Sequence, residues 1–195
     1  MKPACVPLCL IQGATFRDTL RLSQPTLVYK AIQSIPAEAP VRLVVPDHGL
    51  AADWPVWVRG VQQWQEVNRE PFKNRPWSAK RLDASTLEIN GLSAVGLKPL
   101  GGQLIYQAPV DLSGCSARMQ IRDQPGGPLR LELSTEPGQG LTLDPAGTLR
   151  REITAAQTGA LTFAKAVYDL ELTFADGTVQ RWAEGPVTLS PQVTK

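Results

Sequence analysis

Apolar and polar residues alternate in short runs along this chain, and proline and glycine cut the runs apart. Residues 15–22 alternate in part, the pattern of a strand with one buried face. Together, residues 8–22 read as two strands around Gly13, with a turn at Ser23-Gln24-Pro25 and a further strand over 26–32. Residues 41–45 predict another strand, ending in a loop at Pro46-Asp47-His48-Gly49-Leu50. Residues 55–61 alternate again. The stretch between Trp64 and Trp77 is polar and broken by prolines, which predicts a long loop. Residues 79–90 predict two strands around a tight turn at Asp83-Ala84-Ser85, and 101–106 close this part.

Beyond Ala108-Pro109-Val110 the pattern becomes more regular. Residues 116–122 place an apolar residue at every second position, and Pro125-Gly126-Gly127-Pro128 is a turn. Residues 129–133 set three leucines on one face. Residues 141–143 and 149–153 flank a turn at Asp144-Pro145-Ala146-Gly147. Residues 154–158 predict a short helical turn capped by Thr154. Residues 166–174 alternate up to a hairpin turn at Asp176-Gly177, and two short strands, 179–182 and 185–189, follow. Such a density of short strands is expected of a β-sandwich.

Composition supports the all-β reading. The chain has 195 residues, 43% of them hydrophobic and 19% charged, which is globular. Its 16 Gly and 17 Pro are spread throughout and favour turns over long helices. The net charge is +2, and the 20 Lys and Arg never cluster. No nucleic-acid groove or anionic-membrane patch is expected. No apolar stretch reaches the roughly 18–20 residues of a membrane span. The start, residues 1–11, is superficially similar to a signal peptide, but two prolines interrupt it and it is read as a first strand. Cys5, Cys9 and Cys115 are too few for a disulfide framework and are expected to be small buried residues in a reducing cytoplasm.

Candidate chemistry is sparse. His48, beside Asp47, is the sole histidine. No Gly-x-Ser-x-Gly elbow accompanies it, so it is read as a turn residue bonded to backbone. Glu132 and Glu171 fall on faces opposite the leucine and tyrosine series and are expected in solvent. Gly101-Gly102 and Gly126-Gly127 lack a phosphate-loop setting. Cys5 and Cys9 lack a second pair for a closed zinc site. Neither an enzyme, a metal nor a cofactor is expected. The distinctive cluster is aromatic: Trp54, Trp57, Trp64, Phe72 and Trp77. It serves as core, protein interface or sugar platform. Trp57 alternates within a strand and suits a core. Trp54, Trp64, Phe72 and Trp77 are the candidate assembly interface, with Trp64 and Trp77 preferred.

The ordered set 111–122, 131–135, 168–172 and 185–194 resembles a domain common in tailed-phage structural proteins. It is similar to the immunoglobulin-like N-terminal module of phage upper-baseplate proteins. Residues 47–50, 54–61, 83–91 and Gly101-Gly102 resemble a small β-barrel module of phage tail proteins. That module is labelled by likeness to the first catalytic-cysteine half-domain of ubiquitin-activating enzymes, yet carries no catalytic cysteine; in it, His48 belongs to a structural His-Gly turn. Upper-baseplate proteins carry a long C-terminal part that holds receptor-binding proteins, and here the chain stops after Thr194-Lys195, so an adaptor or collar role is as open as a fibre holder.

The resemblance implies an all-β chain with N-terminal strands and a small β-barrel-like domain over 1–107, then an immunoglobulin-like β-sandwich over 108–195. It implies a structural virion protein of a bacteriophage tail, at the tail tip, baseplate or fibre attachment, made in the host cytoplasm. The implied partners are other tail or baseplate proteins and copies of itself, met through edge strands and aromatic anchors. The alternative is a carbohydrate-binding or host-adhesion module of the virion.

Overall fold

The computed structural model describes residues 2–193. Met1, Thr194 and Lys195, which belong to segments read above, lie outside the described residues. The structure is nearly all β, with 49% of residues in strands and 5% in helix. In chain order the strands are β1 (Ala4–Cys5), β2 (Leu8–Ile11), β3 (Phe16–Arg21), β4 (Ser23–Ala31) and β5 (Val41–Val44). Next come β6 (Trp54–Arg59), β7 (Trp77–Arg81), β8 (Thr86–Ile89), β9 (Gln103–Pro109) and β10 (Ser116–Arg122). The rest are β11 (Leu129–Ser134), β12 (Leu141–Asp144), β13 (Thr148–Ile153), β14 (Lys165–Thr173) and β15 (Val179–Ser190). An α-helix, α1 (Ala155–Ala160), precedes β14, and a single 3-10 turn spans Gln65–Val67. Its capping box, Thr154 with Gln157, fulfils the expected helical turn.

The chain forms two compact units: Ser23–Val110, and Met1–Leu22 together with Asp111–Lys195. This differs from the expected division at 107/108. The first three strands belong with the C-terminal unit because β3 pairs with β13, while β1 and β2 run parallel to β15. Pairing between segments so distant in sequence leaves no mark on local alternation.

In the central unit the strand order is β4-β9-β6-β7-β8-β5. Beyond β4, Ser34 bridges Val44 of β5, and Gln33 N–H donates to the Val44 carbonyl. The two edge strands are thereby linked around a shared core that includes Leu43, Trp54, Val56, Val58, Leu87, Ile89 and Leu104. Ser23-Gln24-Pro25 is not a separate turn. It lies within β4, at a shift of register between Ser23 and Leu27. Pro25 has no N–H to donate, and an interrupted ladder accommodates it.

The other unit holds two sheets. One runs β1-β15-β14-β10-β11, with β2 also on β15; the other is β12-β13-β3. Inward positions alternate along β10 (Ala117, Met119, Ile121) and β14 (Ala166, Tyr168, Leu170, Leu172). Residues 179–182 and 185–189 join into the single strand β15, with a register shift opposite Leu170/Glu171. Gly185 permits the N-terminal segment to approach closely: a Cβ there would stand 2.7 Å from the Val6 carbonyl oxygen.

Candidate functional site

The aromatic cluster divides between core and surface. Trp54 is buried, and its indole N–H donates to the Gln107 carbonyl at 2.7 Å. Trp64 is buried in the same core. These two are therefore not accessible anchors, which corrects the expectation. Inward positions 54, 56 and 58 of β6 require a large apolar residue at Trp54, and the chain after β6 turns Trp64 back onto that core. Trp57 is also buried, but away from the core cluster; its indole N–H donates to the Asn74 carbonyl at 2.8 Å.

Residues 68–77 fold back as a braced loop. Asn68 clamps its base: Oδ1 accepts from Val61 N–H and Nδ2 donates to the Val61 carbonyl, both at 2.9 Å. Arg69 N–H donates to the Val58 carbonyl at 2.7 Å. The Arg69 guanidinium lies 3.1 Å from the Trp77 ring centroid and donates to the Arg75 carbonyl. Trp77 is half-buried, and its N–H donates to Val67. One Trp77 face is therefore covered by this chain's own cation.

Phe72 stands at the tip of this loop. It is 70% exposed, with its ring centroid 5.5 Å from that of Trp57. Its φ is +62°, a left-handed conformation that is an outlier for a bulky side chain. Lys73 and Arg75 are exposed beside it. Of the four candidate residues, Phe72 alone is strongly exposed. A bulky apolar side chain is thus held outward, against local backbone preference, by hydrogen bonds from its neighbours.

His48 is fully buried. Its Nδ1 accepts from Leu50 N–H at 3.0 Å, and its Nε2 lies 3.0 Å from the Asp83 carbonyl oxygen, so the proton sits on Nε2. The Tyr106 hydroxyl donates to the His48 carbonyl. Burial raises the Tyr106 pKa and keeps it a donor. Both ring nitrogens are occupied by backbone, the arrangement expected of a turn histidine. Gly49, at φ +76°, lets the chain reverse there.

The carboxylates of the C-terminal unit meet arginines. Glu132 bonds Gln120 and Arg118, which hold its pKa below the usual value. Arg181 lies 3.2 Å from Asp169, 3.8 Å from Glu171 and 3.3 Å from Glu184. A groove of about 500 Å³ is lined by Arg17, Asp18, Thr142, Arg150, Glu152 and Gln157 among others. Its acids are engaged, Asp18 by Arg151 and Glu152 by Arg17. Sequence reasoning missed Arg151, although a signal existed. Leu149 and Ile153 are apolar four apart in a strand, which puts Arg151 on their face.

The three cysteines are free. Cys5 and Cys9 are exposed, not buried as expected, because Leu8 and Leu10 take the inward positions of β2. Among the described residues no group of three or more His, Cys, Asp or Glu is placed to hold a metal ion. Also among them, no helix is long and apolar enough to cross a membrane. Comparison with protein-family models and with curated proteins finds no match for this chain.

Proposed function

We propose that this chain is a structural protein of a bacteriophage tail, at the tail tip, baseplate or fibre attachment, working by protein–protein assembly and not by catalysis. The observation that carries the assembly role is Phe72. An exposed aromatic on a rigidly braced loop is a ready anchor for an apolar pocket. Lys73 and Arg75 beside it suit a pocket with an acidic rim. The virion assignment rests on the sequence elements quoted above, and a two-unit all-β chain agrees with it. In this reading the central unit is the small barrel-like module, and the C-terminal unit is the immunoglobulin-like one.

A carbohydrate-binding role has less support. Trp54, Trp57 and Trp64 are buried and Arg69 lies over Trp77, so the cluster does not offer a flat stacking surface. The test is labelling of intact particles. An antibody to this chain should mark the tail end of virions in electron micrographs, and Phe72→Ala protein should be incorporated less. Antibody signal confined to soluble protein would refute the assignment.

A further inference from the structure

We infer that the free edge of β2 is a self-association surface, on which a second copy of this chain adds its own β2 antiparallel across a two-fold axis centred on Cys9. The proposal rests on the edge itself and not on the virion reading.

The open edges of this unit differ in charge. Strand β11 carries Arg130 and Glu132, β3 carries Arg17, Asp18 and Arg21, and β12 ends on Asp144. Charges of this kind blunt an edge against unwanted pairing. The N-terminal edge has none: no charged residue stands between Lys2 and Arg17. Cys5, Pro7 and Cys9 are exposed there, and Ile11 is 61% exposed.

The backbone fixes which groups face outward. Val6 N–H donates to Glu184 and Gln12 N–H to Ser190, both on β15. In this extended segment, even-numbered residues therefore turn their peptide groups toward β15, and odd-numbered ones turn theirs away. The outward groups are those of Pro7, Cys9 and Ile11. The Ile11 carbonyl is already occupied by Ala14 N–H at 3.1 Å.

An antiparallel pairing centred on Cys9 matches this set to itself. Cys9 exchanges both of its bonds with Cys9 of the second copy. Ile11 then faces Pro7, and Ile11 N–H donates to the Pro7 carbonyl. Pro7 has no N–H to return, and the Ile11 carbonyl needs none. The proline that would spoil an ordinary ladder falls opposite the one acceptor already satisfied. Cys9 and Ile11 lie on the solvent face, so the contact adds apolar neighbours and no charge repulsion. A closed two-fold interface of this kind stops at a dimer.

Sedimentation of the purified full chain tests it. The wild type should be dimeric at high micromolar concentration, and Cys9→Lys should be monomeric there, with a melting curve that matches the wild type's once both are diluted until neither associates. Should Cys9→Lys fail to fold, Ile11→Lys, at a more exposed position, should give the same loss. A short bifunctional thiol reagent should join two chains that keep only Cys9 (Cys5→Ser with Cys115→Ser), and should not join Cys9→Ser chains. A monomeric wild type overturns the inference and leaves the virion assignment standing, because particle labelling tests that separately. A dimer that survives both lysine variants, or that Cys9 does not cross-link, also overturns it. Capture of a different protein's strand by a monomeric chain counts equally against it.

Discussion

Arg151 of β13 and Asp18 of β3 face each other in register, and the guanidinium grips the carboxylate through both Nε and Nη2. The arginine side chain is only 1% exposed, whereas Asp18 is 31% exposed. The Nη1 of Arg151 points to the Met119 sulfur at 3.7 Å, and the guanidinium carbon is 5.4 Å from the Tyr168 ring centroid. A permanent cation therefore lies between the two sheets, with one partially wet counter-ion.

The two partners should be unequal under mutation. Asp18→Ala strands a buried cation and should cost about 2–3 kcal/mol, below the figure for a fully dry pair because water reaches Asp18. Arg151→Met leaves a carboxylate that can hydrate and a well-filled interior, and should change stability by about 1 kcal/mol or less. Adding Arg151→Met to Asp18→Ala should restore most of the loss. Urea unfolding of the two single variants and the double variant measures this coupling directly.

Core and surface aromatics should separate just as cleanly. Trp54→Ala opens a cavity and orphans the Gln107 carbonyl, and should cost about 3–5 kcal/mol. Phe72→Gly loses a ring contact with Trp57 but relieves a left-handed φ, so it should shift stability by less than about 1 kcal/mol. Thermal melts of the two variants side by side decide it. A large loss for Phe72→Gly would mean that the ring is structural.

Local features were legible in the sequence wherever one residue's neighbours set its conformation. The strict alternation of β10 and β14 placed their faces, and Thr154 marked the helix cap. The turn at 144–147 and the backbone-bonded His48 follow from equally local chemistry. Long-range pairing was not legible. Nothing in residues 4–11 specifies β15 as partner, since any uncharged strand would offer the same pattern. Trp64 misled for a related reason: an irregular polar segment suggests exposure, but tertiary packing returns the indole to the core. Phe72 and Trp64 both have polar residues close by, and it is the tertiary core that takes Trp64 while Phe72 stays out on its loop.

The turn at His48 makes a third test. Tyr106→Phe removes the donor to a buried carbonyl and should cost about 1–2 kcal/mol. His48→Ala orphans Leu50 N–H and the Asp83 carbonyl and leaves a void, for about 2–4 kcal/mol. Denaturant curves should show both losses. A His48→Ala protein as stable as the wild type would contradict the structural role.

Acid should weaken the fold through carboxylates whose pKa values are depressed in the folded state. Asp83 is held low chiefly by the Ser85 backbone N–H, Asp123 and Glu152 by hydrogen bonds from Arg130 and Arg17, and Glu132 by Gln120 and then Arg118. Each folded value lies below the ordinary one, 3.8 for Asp and 4.5 for Glu. The unfolded chain therefore binds protons first. The stabilisation is complete above the ordinary values and is lost as pH falls through the depressed ones. The urea midpoint should hold steady with respect to these groups near neutrality and decline below about pH 4.5. All four groups lie at the surface, so added salt should shrink the part that comes from the arginine pairs. The Asp83 part should resist salt, because its main partner is an uncharged N–H. Asp83→Asn should therefore flatten the acid limb even in high salt, whereas Glu152→Gln should flatten it only at low ionic strength. Identical salt sensitivity in the two variants would show that charge pairing, and not the turn, governs the acid response.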